Sequence, residues 1–179
     1  MTVLVIELAT TGFYRSSVLS VAAIKIAVDW NLKKVDRLDT FVRHYHPVEK
    51  WNPHAQAVNG LSAKEIERLR IGAEYPAYFK DDHGLTNFAC EAEFAVAHNA
   101  KFDSSFANLQ IPWICTMKLC GGKLADAARL RGIVIEQSQL HEALYDAEVC
   151  FLLFKHCFLI EKPNTFDELW TSIMARIKH

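Results

Sequence analysis

An uninterrupted apolar run, Val3-Leu4-Val5-Ile6, limits the folds open to this chain more than any other feature. A run of this kind, apolar on both faces and rich in β-branched residues, predicts a strand at the buried centre of a sheet that helices cover on each side. Two further strands are predicted at residues 17–28 and 35–45, joined by a turn at Asp29-Trp30-Asn31. The chain therefore begins with a predicted three-stranded meander.

Helix and strand patterns alternate along the rest of the chain. Ser62, with Glu65 three residues later, has capping-box spacing and predicts the start of a helix after an irregular loop over residues 51–59. Short buried strands are predicted at residues 94–97 and 111–115, and helices at residues 85–92, 102–109, 118–130, 138–158 and 166–177. This order predicts an α/β domain with a mixed sheet.

The composition is that of a folded domain. The 179 residues are 51% hydrophobic and 11% aromatic, which excludes disordered and low-complexity classes. We expect one globular domain over residues 1–161 and a helical appendage over residues 162–179. The net charge of −1 argues against a protein that coats nucleic acid through bulk electrostatics, but it is compatible with an enzyme that binds a few phosphates.

The cysteine content and the hydropathy pattern indicate in which cellular compartment the protein is expected. The chain has five cysteines, an odd number without a C-x-x-C pair, which argues against a disulfide framework and favours a reducing compartment. The N-terminal residues lack the basic region and cleavage site of a signal peptide, and the longest apolar stretch, residues 149–160, is too short to span a bilayer. We therefore expect a cytoplasmic protein.

Three acidic residues lie where chemistry is expected. Glu7 ends the first strand, Asp103 follows the strand at residues 94–97, and Asp146 lies five residues after His141. Carboxylates that converge at one edge of a sheet repel one another unless a divalent cation neutralises them, so together they predict a Mg²⁺ or Mn²⁺ site. Taken singly, Asp103 also fits a helix cap and Asp146 a solvated helix residue.

Two segments resemble motifs of a known family. Residues 96–103, Val-Ala-His-Asn-Ala-Lys-Phe-Asp, resemble the second motif of the DnaQ-like 3′–5′ exonucleases of the RNase H-like superfamily, the group related to the proofreading subunit of the bacterial replicative polymerase. Residues 141–147, His-Glu-Ala-Leu-Tyr-Asp-Ala, resemble its third motif, of the DEDDh type. Residues 52–62 resemble the loop before the family's first helix. The resemblance runs from Val3 to Phe158 and implies helices on both faces of a five-stranded mixed sheet of order 3-2-1-4-5.

The first motif departs from the family pattern. The family has Asp-x-Glu followed by Thr-Thr-Gly, whereas this chain has Glu7-Leu8-Ala9-Thr10-Thr11-Gly12. The change to Glu7 keeps the charge and lengthens the side chain by one methylene. The change to Ala9 removes a carboxylate.

The resemblance implies a two-metal hydrolytic site, which the change at residue 9 weakens. It implies that Glu7 bridges the metals, that Asp146 is a direct ligand and that Asp103 acts as an outer ligand. It also implies that His141 is the general base, a role suited to an imidazole that titrates near neutral pH. Because Mg²⁺ demands near-ideal octahedral geometry, the nucleophile-side metal is expected to bind weakly, with Mn²⁺ as a possible substitute.

Residues flanking the carboxylates are predicted to bind substrate. Backbone N–H groups of Thr10, Thr11 and Gly12 are expected to face the terminal sugar and phosphate, because Gly12 allows close approach; the alternative is an ordinary turn. Phe13 is expected to stack on the terminal base or to be a core aromatic. The second motif places His98 and Asn99 at the nucleic-acid strand, and the alternative for Asn99 is a loop cap.

The sequence thus predicts a metal-dependent 3′–5′ exonuclease that acts on single-stranded DNA or RNA, with activity impaired by Glu7 and Ala9. The alternative is a catalytically inactive nucleic-acid-binding or polymerase-associated scaffold protein, which Ala9 favours and the pair His141 and Asp146 argues against. In a further interpretation, the helix at residues 166–177 docks a polymerase or other protein partner; the alternative is that it packs on its own domain.

Overall fold

A mixed five-stranded sheet forms the centre of the computed structural model, which describes residues 1–13, 16–29 and 31–158. The predicted appendage over residues 162–179 lies outside the described residues, and so does its helix, which was predicted to dock a partner. Trp30 of the predicted turn also lies outside them.

The sheet has the expected order, β3-β2-β1-β4-β5. Its strands are β1 (Thr2–Thr10), β2 (Val18–Asp29), β3 (Lys34–His44), β4 (Phe94–Ala97) and β5 (Trp113–Cys115). β1, β2 and β3 pair antiparallel, and β4 and β5 continue the sheet parallel to β1. The β-branched run of β1 is fully buried at the middle of this sheet, as its composition predicts.

Seven α-helices are present in the described residues. They are α1 (Pro53–Asn59), α2 (Ala63–Leu69), α3 (Gly84–Phe88), α4 (Ala100–Ala107), α5 (Thr116–Cys120), α6 (Leu124–Leu130) and α7 (Ala143–His156). Apolar side chains of α6 and α7 join one core cluster with one face of the sheet, and those of α3 and α4 join a second cluster on the other face. The predicted α/β class with helices on both faces is confirmed.

The predicted loop over residues 51–59 is wrong, because it contains helix α1. Asn52 caps the helix by accepting a hydrogen bond from the His54 N–H at 3.0 Å, Pro53 occupies the first turn, and Gly60 ends the helix at φ 70°. These are ordinary helix start and stop signals, so the sequence carried the information.

Two predicted helices are too long for the same physical reason. Residues 118–130 form two helices rather than one, because Gly121 and Gly122 have φ of 73° and 69°. The helix predicted from residue 138 begins only at Ala143, because His141 has φ of 74°. A residue in the left-handed region interrupts the helical hydrogen bonds, and His141 therefore lies in the turn before α7.

Among the described residues, no helix is both long and apolar enough to cross a membrane.

Candidate active site

A cavity of about 370 Å³ opens where the end of β1 meets α1 and the start of α7. Its lining includes Glu7, Ala9, His141 and Asp146, which come from the first and third motifs. β1 and β4 run parallel, so the residues after β4 reach the same edge of the sheet as Glu7. The parallel pairing thus brings the second motif to the other two.

Glu7 is held by the backbone of the second motif. Its Oε1 accepts a hydrogen bond from the His98 N–H at 2.9 Å. Burial, together with the nearby Asp146 carboxylate, raises the pKa of Glu7 to about 7, although the His98 N–H and the Cys150 thiol act in the opposite direction. Near neutral pH this carboxyl group therefore exchanges between its charged and neutral forms.

Asp103 lies in the first turn of α4 and is only 1% exposed. Within the described residues, neither of its carboxylate oxygens has a partner of ordinary hydrogen-bond geometry. Burial and the negative charge of Glu7 raise the pKa of Asp103 well above its usual value, and the backbone at Leu8 offsets only part of this. Burying a carboxylate without a partner costs free energy, which is typical of a functional rather than a structural side chain.

Asp146 and His141 are joined through the backbone. The His141 N–H donates to both carboxylate oxygens of Asp146, at 3.2 and 3.1 Å. Burial raises the pKa of Asp146, and this hydrogen bond lowers it in part. Because its backbone occupies the turn, the exposed His141 side chain lines the cavity beside the carboxylate.

The three carboxylates fit a cation, but not the full site of the family. Burial raises the pKa of Glu7, Asp103 and Asp146, and the charge of another carboxylate contributes in each case. In the part of the chain that the structure describes, no three Asp, Glu, His or Cys side chains converge closely enough to enclose a metal ion. Carboxylates arranged in this way suit a hydrated divalent cation. Such a cation binds one or two protein carboxylates, and water and substrate phosphate supply its other ligands. Ala9 has no side chain to offer a second cation.

Two phenylalanines lie at the cavity. Phe13 is 91% exposed, and its ring lies edge-on to that of Phe102 at 6.1 Å between centroids. The alternative of a core aromatic is therefore wrong for Phe13, because its ring is in solvent. An exposed aromatic face beside an acidic cavity is a suitable surface for a nucleobase.

The turn after β1 is held by side chains of α1 and the loop before it, which the sequence interpretation missed. Asn52 Nδ2 donates to the Thr11 carbonyl at 2.9 Å, and Asn59 Nδ2 donates to the Thr10 carbonyl at 3.1 Å. Asparagine at a helix N-cap was the available signal, but the Asn59 contact depends on tertiary packing.

The expectation that the Thr11 N–H faces substrate needs correction. This N–H donates to the Ser17 carbonyl at 2.9 Å, and the Thr11 hydroxyl donates to Glu49. Thr10 and Gly12 do line the cavity, but the Gly12 N–H makes a long 3.4 Å contact with the Thr10 hydroxyl. Much of the hydrogen-bonding capacity of this turn is therefore used by other protein groups.

His98 and Asn99 have different surroundings. His98 is 7% exposed, with Nδ1 3.0 Å from the Thr116 hydroxyl and Nε2 3.1 Å from the Gly122 carbonyl. Both ring nitrogens are thus occupied by protein atoms, which argues against a substrate contact through the ring. Asn99 is exposed and precedes α4 as its N-cap residue without a side-chain cap bond, so its amide is free of that alternative role.

Comparisons with known proteins agree with this geometry. Ribonuclease T of Escherichia coli strain K12 is 28% identical to the chain, in an alignment that covers 84% of this chain and 81% of the relative. Ribonuclease T of Shigella flexneri gives the same values. No known family profile matches the chain.

Solved structures share the fold. A structure described as Exonuclease X in complex with 5′ overhanging duplex DNA has a TM-score of 0.62 and 20% identity, and the match covers 86% of this chain and 90% of that one. A zinc-bound complex of E. coli Exonuclease I with single-stranded DNA has a TM-score of 0.67 and 16% identity, with coverage of 95% and 43%. At these identities the likeness establishes the fold.

The fold and the site define an RNase H-like α/β domain with an acidic cleft at the carboxyl edge of β1 and β4. Ribonuclease T adds a relative in sequence, at 28% identity. Together, the 28% identity to Ribonuclease T and the shared fold support a DnaQ-like 3′–5′ exonuclease of the RNase H-like superfamily. Exonucleases of this superfamily generally use divalent metal ions.

Proposed function

We propose that this protein is a 3′–5′ exonuclease that hydrolyses nucleotides from the 3′ ends of single-stranded DNA or RNA, with activity reduced by its altered first motif. One observation carries the proposal: Glu7, His141 and Asp146, from motifs far apart in sequence, line the same cavity. The relationship to Ribonuclease T supports the reaction class.

Each site residue has a distinct proposed role. The His141 imidazole takes the proton of the attacking water, and the hydrogen bonds from its backbone to Asp146 hold it at the cavity. Thr10, Gly12 and Asn99 flank the terminal nucleotide. Phe13 stacks on its base, because the ring is exposed at the cavity and rests on Phe102.

Glu7, Asp103 and Asp146 are the residues that would hold Mg²⁺ or Mn²⁺, with Asp103 acting through water. The bound cation supplies charge stabilisation at the scissile phosphate. The raised pKa values of these three largely buried carboxyl groups support this assignment. The missing carboxylate at Ala9 is the reason to expect weak occupancy of the second metal position.

The test is degradation of 5′-labelled single-stranded DNA and RNA with Mg²⁺ or Mn²⁺. The wild-type chain is compared with the Glu7→Asp/Ala9→Glu variant, which restores the family pattern. We expect a 3′-end ladder from both, with the restored variant faster by about 100-fold, since a cation ligand contributes several kcal/mol to the transition state. Adding His141→Ala to the restored variant is the matched control and should abolish the ladder.

The alternative function is a nucleic-acid-binding protein without catalysis, which the alanine at position 9 of the cavity favours. A ladder from the restored variant alone would support this alternative for the natural chain. No ladder from either folded protein would overturn the exonuclease proposal.

A further inference from the structure

The turn that follows β1 is closed by a side chain from a distant loop. Thr11 and Ser17 meet at the base of this turn, where the Thr11 N–H donates to the Ser17 carbonyl at 2.9 Å. Glu49, in the loop after β3, accepts hydrogen bonds from both residues. Its Oε1 accepts from the Thr11 hydroxyl and, at 2.8 Å, from the Ser17 N–H, and its Oε2 accepts from the Ser17 hydroxyl at 2.5 Å. One carboxylate thus joins the two ends of the turn.

The direction of these hydrogen bonds follows from the chemistry of the acceptor. An ionised carboxylate can only accept, so the hydroxyl protons of Thr11 and Ser17 both point to Glu49. The Ser17 oxygen remains available as an acceptor and receives the Val48 N–H at 2.9 Å. Partial burial acts to raise the pKa of Glu49, but the hydrogen bonds from Ser17 and Thr11 outweigh it and lower the pKa. The acceptor is therefore charged at neutral pH, and hydrogen bonds to a charged acceptor are about twice as strong as neutral ones.

Phe13 lies between the two ends that Glu49 joins. Its ring is exposed and rests edge-on against Phe102, so the backbone of the turn largely sets where the ring stands. Glu49 and Phe13 border the same depression on the surface. A carboxylate repels the phosphates of a nucleic acid, so Glu49 is unsuited to bind the strand itself. Its contribution to the site must come through the turn.

We propose that Glu49 is a positioning residue for the substrate site: its carboxylate ties Ser17 to Thr11 and so holds the turn that presents Phe13 to the terminal base. The closure of the turn is a property of the fold. The consequence for substrate rests on the proposed function, because it requires that Phe13 stacks on a base.

Hydrogen exchange followed by NMR tests the closure of the turn directly. The amides of Thr11 and Ser17 are both hydrogen-bonded at its base. Glu49→Ala should make both exchange about tenfold faster at neutral pH, because hydrogen bonds to a charged group are lost. Glu49→Gln keeps a carbonyl acceptor and should stay within about threefold of wild type. Amides in the middle of β2 are the internal reference, and the core is undisturbed because Glu49 is exposed.

The kinetic test measures kcat and KM on 5′-labelled single-stranded DNA. Stacking on an aromatic ring contributes about tenfold in affinity, so Phe13→Ala should raise KM about tenfold. Glu49→Ala should raise KM about threefold to fivefold with kcat unchanged, and the double variant should match Phe13→Ala alone, because Glu49 acts through the ring.

Glu93→Ala is the matched control for Glu49→Ala. Glu93 is also exposed, and it also accepts a hydrogen bond from a backbone N–H, that of Thr2 at 3.1 Å. This contact lies at the opposite end of β1 from the turn. The change should leave both kcat and KM within about twofold of wild type.

Three results would overturn the inference. The first is unchanged exchange of the Thr11 and Ser17 amides in Glu49→Ala. The second is a rise in KM for the double variant that equals the product of the two single effects, which would mean that Glu49 and Phe13 act independently. The third is an equal kinetic loss in Glu93→Ala. If the wild-type chain degrades no oligonucleotide, the proposed function fails, but the exchange rates still decide whether Glu49 holds the turn.

Discussion

Asp82 and Asp103 both have nearly inaccessible side chains, but their surroundings are opposite in charge. The Asp82 side chain is 4% exposed and forms an ion pair with Arg43 at 2.7 Å. Asp103 is 1% exposed, and both its oxygens lack a partner among the described residues. The described residues therefore supply a cation for the Asp82 carboxylate, whereas Asp103 has no cationic partner among them and the backbone offsets only part of the rise in its pKa.

The surroundings of Asp82 are those of a structural site. Arg43 donates to both carboxylate oxygens, the Tyr45 hydroxyl donates at 2.7 Å, and the Gly84 N–H donates at 2.7 Å. Burial acts to raise the pKa of Asp82, but these hydrogen bonds outweigh it and lower the pKa. These hydrogen bonds connect the loop before α3 to the end of β3.

The pKa of Asp103 shifts the other way, since burial and the charge of Glu7 raise it. The hydrogen-bond donors that surround Asp82 have no counterpart around Asp103 among the described residues. A buried carboxylate without a cationic partner at the cleft is suited to binding a cation with substrate, whereas a carboxylate paired within the fold serves stability.

The largest expected effect is on stability, from Asp82→Ala. The change leaves Arg43 and the buried Tyr45 hydroxyl without their shared acceptor, so the free energy of unfolding should fall by about 3 kcal/mol. Urea unfolding followed by circular dichroism measures it. A loss below about 1 kcal/mol would mean that the Asp82 network contributes little to stability.

The next effect is the pH dependence of stability, which has opposite sign for Asp82 and Asp103. A carboxyl group whose pKa rises on folding gives stability that is complete below its unfolded pKa and lost as pH rises through its folded pKa. The folded pKa of Glu7 is about 7 against an ordinary 4.5, and Asp103 shifts in the same direction. Metal-free protein should therefore lose stability between about pH 4.5 and pH 7, by about 3 kcal/mol from Glu7 alone.

Asp103→Asn tests the source of this loss, because it removes one of the mutually repelling charges. Urea unfolding across this pH range should give a flatter profile for the variant and about 1 kcal/mol more stability than wild type at pH 8. Asp82, whose pKa is lowered, contributes stability that is lost only as the pH falls through that lowered value. A variant less stable than wild type at pH 8 would contradict the electrostatic account of Asp103.

The smallest effect is expected from Tyr45→Phe. It removes one of the donors to Asp82 and keeps the buried ring, which packs edge-on against Tyr75 and Phe79. The loss of one hydrogen bond should lower the free energy of unfolding by about 1 kcal/mol, measured by urea unfolding at pH 7. A loss as large as that of Asp82→Ala would mean that Tyr45, rather than Arg43, dominates the network.

Local pattern was enough to predict most of the fold. The apolar run of β1, the following meander and the Ser62 cap depend on short-range periodicity and backbone chemistry, which sequence records directly. Helix ends were less well predicted. The break at His141 depends on a left-handed backbone conformation in a residue that is not glycine, which composition does not indicate.

Sequence alone revealed the motifs, the carboxylates Glu7, Asp103 and Asp146, and the departure at Ala9. Which polar groups have partners depends on the tertiary structure. It buried the His98 ring between Thr116 and Gly122 and joined Arg43 to Asp82 across 39 positions. The physical reason is that burial and hydrogen bonding depend on distance in space, and the parallel pairing of β1 with β4 brings together residues that are far apart in the chain.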